Sequence, residues 1–148
     1  MLIDVVPYCG IGAEPDLLRL RAEELQGIVD ALVVIEGSHT YQGAPREQML
    51  TSNGIRNLLG RIAPPFVEHV LVRIPHQPGV RPLTRDDAQR DAGLQQALDR
   101  FFEEGETFLL LGDVDEIPRA ELVLSAMQRA AAHDTMVRFV QRQFWYYL

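Results

Sequence analysis

The densest group of side chains able to do chemistry is the segment Gly112-Asp-Val-Asp-Glu-Ile-Pro118, which follows directly on the apolar run Thr107 to Leu111. In an extended segment, residues i and i+2 share a side, so Asp113 and Asp115 would converge while Val114 turns into the core. Two carboxylates held that close repel each other unless a cation lies between them, and hard oxygen donors favour Mg²⁺ or Mn²⁺. With so few protein ligands, such an ion keeps open positions, as ions that also grip a diphosphate do. The competing possibility is a solvated acidic loop that caps the helix opened by Pro118.

A second candidate is Gly10-Ile-Gly12 with an acidic residue, Glu36, closing the next apolar run. The pattern partly imitates a dinucleotide fingerprint, with Pro15 at the position of the third glycine, and leaves a Rossmann-type NAD-dependent oxidoreductase as an alternative. His39, His69, His76 and His133 are scattered, and none stands at ligand spacing from Cys9 or from another histidine, so zinc has little support. There is no GxSxG elbow, and a chain without lysine cannot carry GxxxxGK[ST]. Phe144-Trp-Tyr-Tyr-Leu148 reads either as core and edge strand or as an aromatic wall for a sugar or base.

These residues need a scaffold. Leu2 to Val6 reads as a strand, Pro7 to Gly12 as a loop, and Leu18, Ala22, Leu25 and Val29 as the buried stripe of a helix. Ala31 to Ile35 is continuously apolar, the mark of a strand covered on both faces. Ser38 to Arg46 is a long loop. Glu47 to Leu59 is helical in part, with Asn53-Gly54 expected to break any single helix. A third strand is expected at His69 to Ile74, a helix from the Thr84-Arg-Asp-Asp87 box to near Gly105, and a strand at Thr107 to Leu111. A helix then carries Leu122, Ala126, Met127 and Ala130, and Met136 to Tyr147 closes as a strand or hairpin arm.

That alternation argues for an α/β fold with a mostly parallel sheet and helices on both faces, whose ligands bind at the carboxyl ends of the strands. Glu36 and Asp113 to Glu116 both fall there. The 148 residues suit one domain of about 100–200 residues, and 47% apolar with 24% charged residues is an ordinary globular composition. Fourteen Arg against twenty-one Asp plus Glu give a net charge of −7, the wrong sign for a nucleic-acid partner. No apolar stretch approaches the roughly 20 residues of a membrane span, and a lone cysteine without a leader peptide suits a reducing cytoplasm. The apolar ending suggests a shortened form of a larger domain, and the arginine-only, alanine-rich composition suits a bacterial or phage setting.

Taken together, Glu14-Pro-Asp-Leu-Leu-Arg-Leu-Arg21, Val29-Asp-Ala-Leu-Val-Val-Ile-Glu36 with Thr40-Tyr-Gln-Gly43, Gln89-Arg90 and Gly112 to Pro118 resemble the family-17 glycosyltransferases, in the family's order and across most of the chain. The resemblance implies a GT-A-like domain and a UDP-sugar donor, N-acetylglucosamine being the expected sugar. It also implies inverting transfer to a glycan hydroxyl, with a catalytically incomplete nucleotide-sugar-binding module as the alternative. By position, it makes Asp113 and Asp115 the metal and diphosphate ligands, sets Glu36 and Thr40 on the nucleotide side, and puts Arg90 near the diphosphate. Arg46 stands where the family usually carries a lysine, keeping the charge and changing its reach. Glu116 is the nearest candidate for the base that inversion requires.

Overall fold

The computed structural model describes residues 1–9, 12–40, 44–73, 82–101, 107–133 and 136–137. Four strands, β1 (Leu2–Tyr8), β2 (Ala31–Gly37), β3 (Phe66–Val72) and β4 (Phe108–Leu111), form one parallel sheet in the order β3-β2-β1-β4. The connecting helices are α1 (Glu14–Glu24), α2 (Ser52–Leu59) and α3 (Pro82–Phe101), and α4 (Ala120–His133) follows β4.

The apolar runs explain the two central strands: every residue of β1 and β2 is buried. Residues Val6, Tyr8, Leu32, Val34 and Val67 face α1 and α2 through Leu18, Ile55 and Leu59. The alternate set, Ile3, Val5, Val33, Ile35, Val70 and Val72, packs on α3 at Ala97. Helix α4 sits on the α1 side, where Val123 meets Leu2, Leu25 and Leu110. Right-handed crossovers account for this division of helices. The chain steps outward from β1 to β3 over one face, so its return from β3 to the far side of β1 must cross the other. Strand order therefore reverses beside β1, next to β4, and helices cover both faces as the sequence pattern requires.

Several boundaries differ from expectation, each for a local reason. Strand β1 continues through Pro7 to Tyr8, because β4 pairs with it only as far as Val5 and leaves the ladder one-sided at the proline. Helix α1 stops at Glu24, short of Val29, and Gly27 turns the chain at φ 81°. Asn53-Gly54 does not break α2. Both lie in its first turn, where Thr51 Oγ1 accepts the Gly54 N–H at 3.0 Å as an N-cap. Strand β3 starts at Phe66, whose N–H donates to the Asp30 carbonyl at 3.1 Å, three residues ahead of the expected start. Helix α3 begins at Pro82, ahead of the Thr84 box. Helix α4 opens at Ala120 rather than Pro118. Gly10, the loop tip 41–43 and most of the expected closing strand at Met136 to Tyr147 lie outside the described residues.

Helix α3 lies close against β2 because Gly93 has no side chain there. A Cβ at that position would fall 2.1 Å from Ile35 Cδ1.

Candidate functional site

The carboxyl ends of β1, β2 and β4 carry two polar clusters. At the end of β4 the acidic segment is a β-turn, not the extended run expected of it: the Glu116 N–H donates to the Asp113 carbonyl at 2.9 Å. Glu116 Oε2 in turn accepts the Asp113 N–H at 3.0 Å. Val114 does turn inward, and it is buried against the β1, β2 and α1 core. Alternation of side chains belongs to extended backbone, so the turn gives Asp113 and Asp115 no common side by pleat. Asp113 instead meets Arg90, whose Nη2 lies 2.5 Å from Asp113 Oδ1 with both side chains partly exposed. Asp115, at the turn's third position, is exposed.

Two interior contacts hold this arrangement. Arg21 of α1 is buried and forked on Asp4 of β1, with Nε to Oδ2 at 2.8 Å and Nη2 to Oδ1 at 2.7 Å. Its remaining Nη1 donates to the carbonyls of Asp113 at 3.1 Å and Glu116 at 2.5 Å. On the other face, buried Gln89 donates from Nε2 to the Ile35 carbonyl at 3.0 Å, fixing α3 at the end of β2 so that the next residue, Arg90, reaches Asp113. Arg21 and Gln89 stand within the sequence motifs without an assigned role. The available signal was a charge on a buried stripe, with Asp4 inside an apolar strand and Arg21 between Leu18 and Leu25.

The second cluster centres on Glu36, which is fully enclosed. Its Oε1 accepts the Met49 N–H at 2.8 Å and lies 3.3 Å from Arg46 Nη2. Its Oε2 accepts the Leu50 N–H at 3.2 Å and lies 2.9 Å from His69 Nε2. A carboxylate only accepts, so Nε2 carries the proton in this contact. Arg46 continues the tie, with Nη1 to the Cys9 carbonyl at 2.5 Å and Nη2 to the Tyr8 carbonyl at 3.3 Å. After β2, Thr40 pairs with Ala44: its N–H donates to the Ala44 carbonyl at 2.8 Å, and its Oγ1 accepts the Ala44 N–H at 3.1 Å. Glu36 and Arg46 thus bind the 44–50 loop to the ends of β1 and β2. Enclosed in this way, Glu36 presents no carboxylate to a ribose, as the dinucleotide alternative requires.

Tyr8, the last residue of β1, is buried in the core on the α1 and α2 face. Burial, then the charges of Glu14 and Glu36, push its phenol above the ordinary value of about 10, and Arg46 opposes them. A folded pKa above the unfolded one means that the neutral phenol's contribution is complete below about pH 10 and disappears as pH rises through the folded value. No lysine titrates in that window. Urea midpoints measured at pH 7 and near pH 11 should fall further for the parent than for Tyr8→Phe.

The family model for glycosyltransferase family 17 matches residues 3–147. This chain belongs to that family. It is also 31% identical over 127 residues, 81% of this chain, to the rat β-1,4-mannosyl-glycoprotein 4-β-N-acetylglucosaminyltransferase, and it spans 22% of that relative's length. The family-17 match runs through both polar clusters. It replaces the oxidoreductase alternative, and no helix among the described residues is long and apolar enough to cross a membrane.

Among the described residues no group of three or more His, Cys, Asp or Glu is placed to hold a metal ion. The turn carries three carboxylates: Asp113 beside a guanidinium, Asp115 exposed, and Glu116, which accepts the Asp113 N–H through Oε2. Such a set fits a hard divalent ion carried chiefly by ligand oxygens and water, not a closed protein cage.

Proposed function

We propose that the carboxyl edge of this family-17 sheet binds the diphosphate of a UDP-sugar, with N-acetylglucosamine the expected sugar, and supports its inverting transfer to a glycan hydroxyl. The observation that carries the reading is the meeting of Arg90 and Asp113 over the end of β4, with Asp115 exposed in the same turn. A site for a leaving diphosphate needs positive charge to meet the anion and hard oxygens to share a cation, and Arg90 of α3 brings the first to the oxygens of this turn.

In this reading Asp113 and Asp115 hold Mn²⁺ or Mg²⁺, which when bound neutralises charge on the departing nucleotide. Arg90 places its guanidinium beside the same diphosphate. Glu116 is committed to the turn through Oε2, so Oε1 is the oxygen assigned to take the acceptor proton as the acceptor oxygen attacks the anomeric carbon and UDP leaves from the opposite side. Thr40, Arg46 and Glu36 act from the nucleotide side by fixing the 44–50 loop at the ends of β1 and β2.

Titration calorimetry with UDP and Mn²⁺ tests the site. Binding is expected in the presence of Mn²⁺ and absent with chelator, and Asp115→Ala should weaken it by about ten-fold or more. Metal-independent binding unaffected by Asp115→Ala would overturn the proposal. Binding without hydrolysis or transfer of UDP-N-acetylglucosamine would point to the incomplete nucleotide-sugar module.

A further inference from the structure

We infer that Arg21, set by Asp4, is the positioning residue of the acidic turn, holding it in its ligand-ready shape before any donor arrives; this rests on the donor site proposed above. Strand β4 is a poor platform on its own. It has four residues and, among the described residues, it is the outer strand of the sheet, with Leu109 and Leu111 exposed because α3 packs chiefly on the other three strands. A turn hanging from such a strand would fray with it.

The guanidinium removes that dependence. Asp4 sits in β1, buried and paired on both sides, opposite Leu32 and Leu110. Because the guanidinium is planar and rigid, fixing Nε and Nη2 on the two Asp4 oxygens also fixes the direction of Nη1. That nitrogen meets the carbonyls of Asp113 and Glu116, the first and last residues of the turn. The turn is thereby referenced to the central strand rather than to β4. Gly112 completes the fit: a Cβ there would lie 3.1 Å from Glu116 Oε2 and 3.8 Å from Arg21 Nη1. Arg90 then meets Asp113 from the α3 face, so the turn is gripped from both sides of the sheet.

A merely structural ion pair and a positioning residue behave differently when the pair is replaced by apolar side chains of similar size. Buried ion pairs often tolerate that exchange. Asp4→Leu/Arg21→Met should therefore fold, while amide exchange at Asp113 and Glu116 accelerates and UDP–Mn²⁺ affinity falls, each by about ten-fold or more. Arg21→Lys keeps a cation against Asp4 yet lacks the fork, and it should show the same two losses if the double variant does not fold. Asp4→Asn keeps the side-chain shape but turns an amide N–H toward one guanidinium donor, which breaks the fork, and it should show the same two losses. Parent-like exchange at the two amides in a folded Asp4→Leu/Arg21→Met or Arg21→Lys protein would overturn the inference. A parent that fails to bind UDP–Mn²⁺ would defeat the donor reading alone, since amide exchange judges the brace without any ligand.

Discussion

Arg21→Ala is expected to lower the unfolding free energy by about 3–5 kcal/mol, the largest effect of any single substitution considered. The deleted guanidinium leaves the Asp4 carboxylate buried beside Leu32 and Leu110 with neither of its two donors. It also strips the Asp113 and Glu116 carbonyls of their shared N–H. For a chain of this size the loss corresponds to a thermal midpoint lower by roughly 10–15 °C. Asp4→Asn on the Arg21→Ala background should recover part of it, because a buried amide costs less than a buried uncompensated charge. Differential scanning calorimetry of the single and double variants gives the comparison. A midpoint for Arg21→Ala within a few degrees of the parent would mean that the pair is not buried in solution.

Glu36→Ala is expected to cost about 2–4 kcal/mol and to release the 44–50 loop. One carboxylate accepts from the Met49 and Leu50 amides and from His69 while facing Arg46, so its loss leaves several donors unmet in a dry place. Glu36→Gln should recover little of this, since its NH₂ must face N–H donors where an oxygen stood. Hydrogen exchange at Met49 and Leu50 separates the outcome from general destabilisation: those amides should lose protection first, while the amides of β2 stay protected. Protection at both amides equal to that of Val33 and Val34 would show that the loop is held by other means.

The 3.6-residue stripes and the continuous apolar runs were legible because they are local. The apolar run Ala31 to Ile35 could only be a strand covered on both faces, and the run before Gly112 had to end where the acidic residues begin. Strand boundaries shifted where a distant partner intervened: Asp30 extends β3 back to Phe66, and the short reach of β4 lets β1 continue through Pro7. Thr51 hid the start of α2, because its cap turns Asn53-Gly54 from a break into a first turn.

The chain by itself determined the alternation of strands and helices, since each pattern spans only a turn or two, and that alternation in turn implied a parallel sheet with Glu36 and Asp113 at the carboxyl ends of its strands. Tertiary structure alone decided what those carboxylates face. Glu36 lies inside because the 44–50 loop folds over it, and Asp113 meets Arg90 because Gln89 seats α3 on β2. The acidic segment bends into a turn because Arg21, 92 and 95 residues away along the chain, holds both its ends. Contacts at such separations arise only once the sheet is assembled, and no local pattern of residues encodes them.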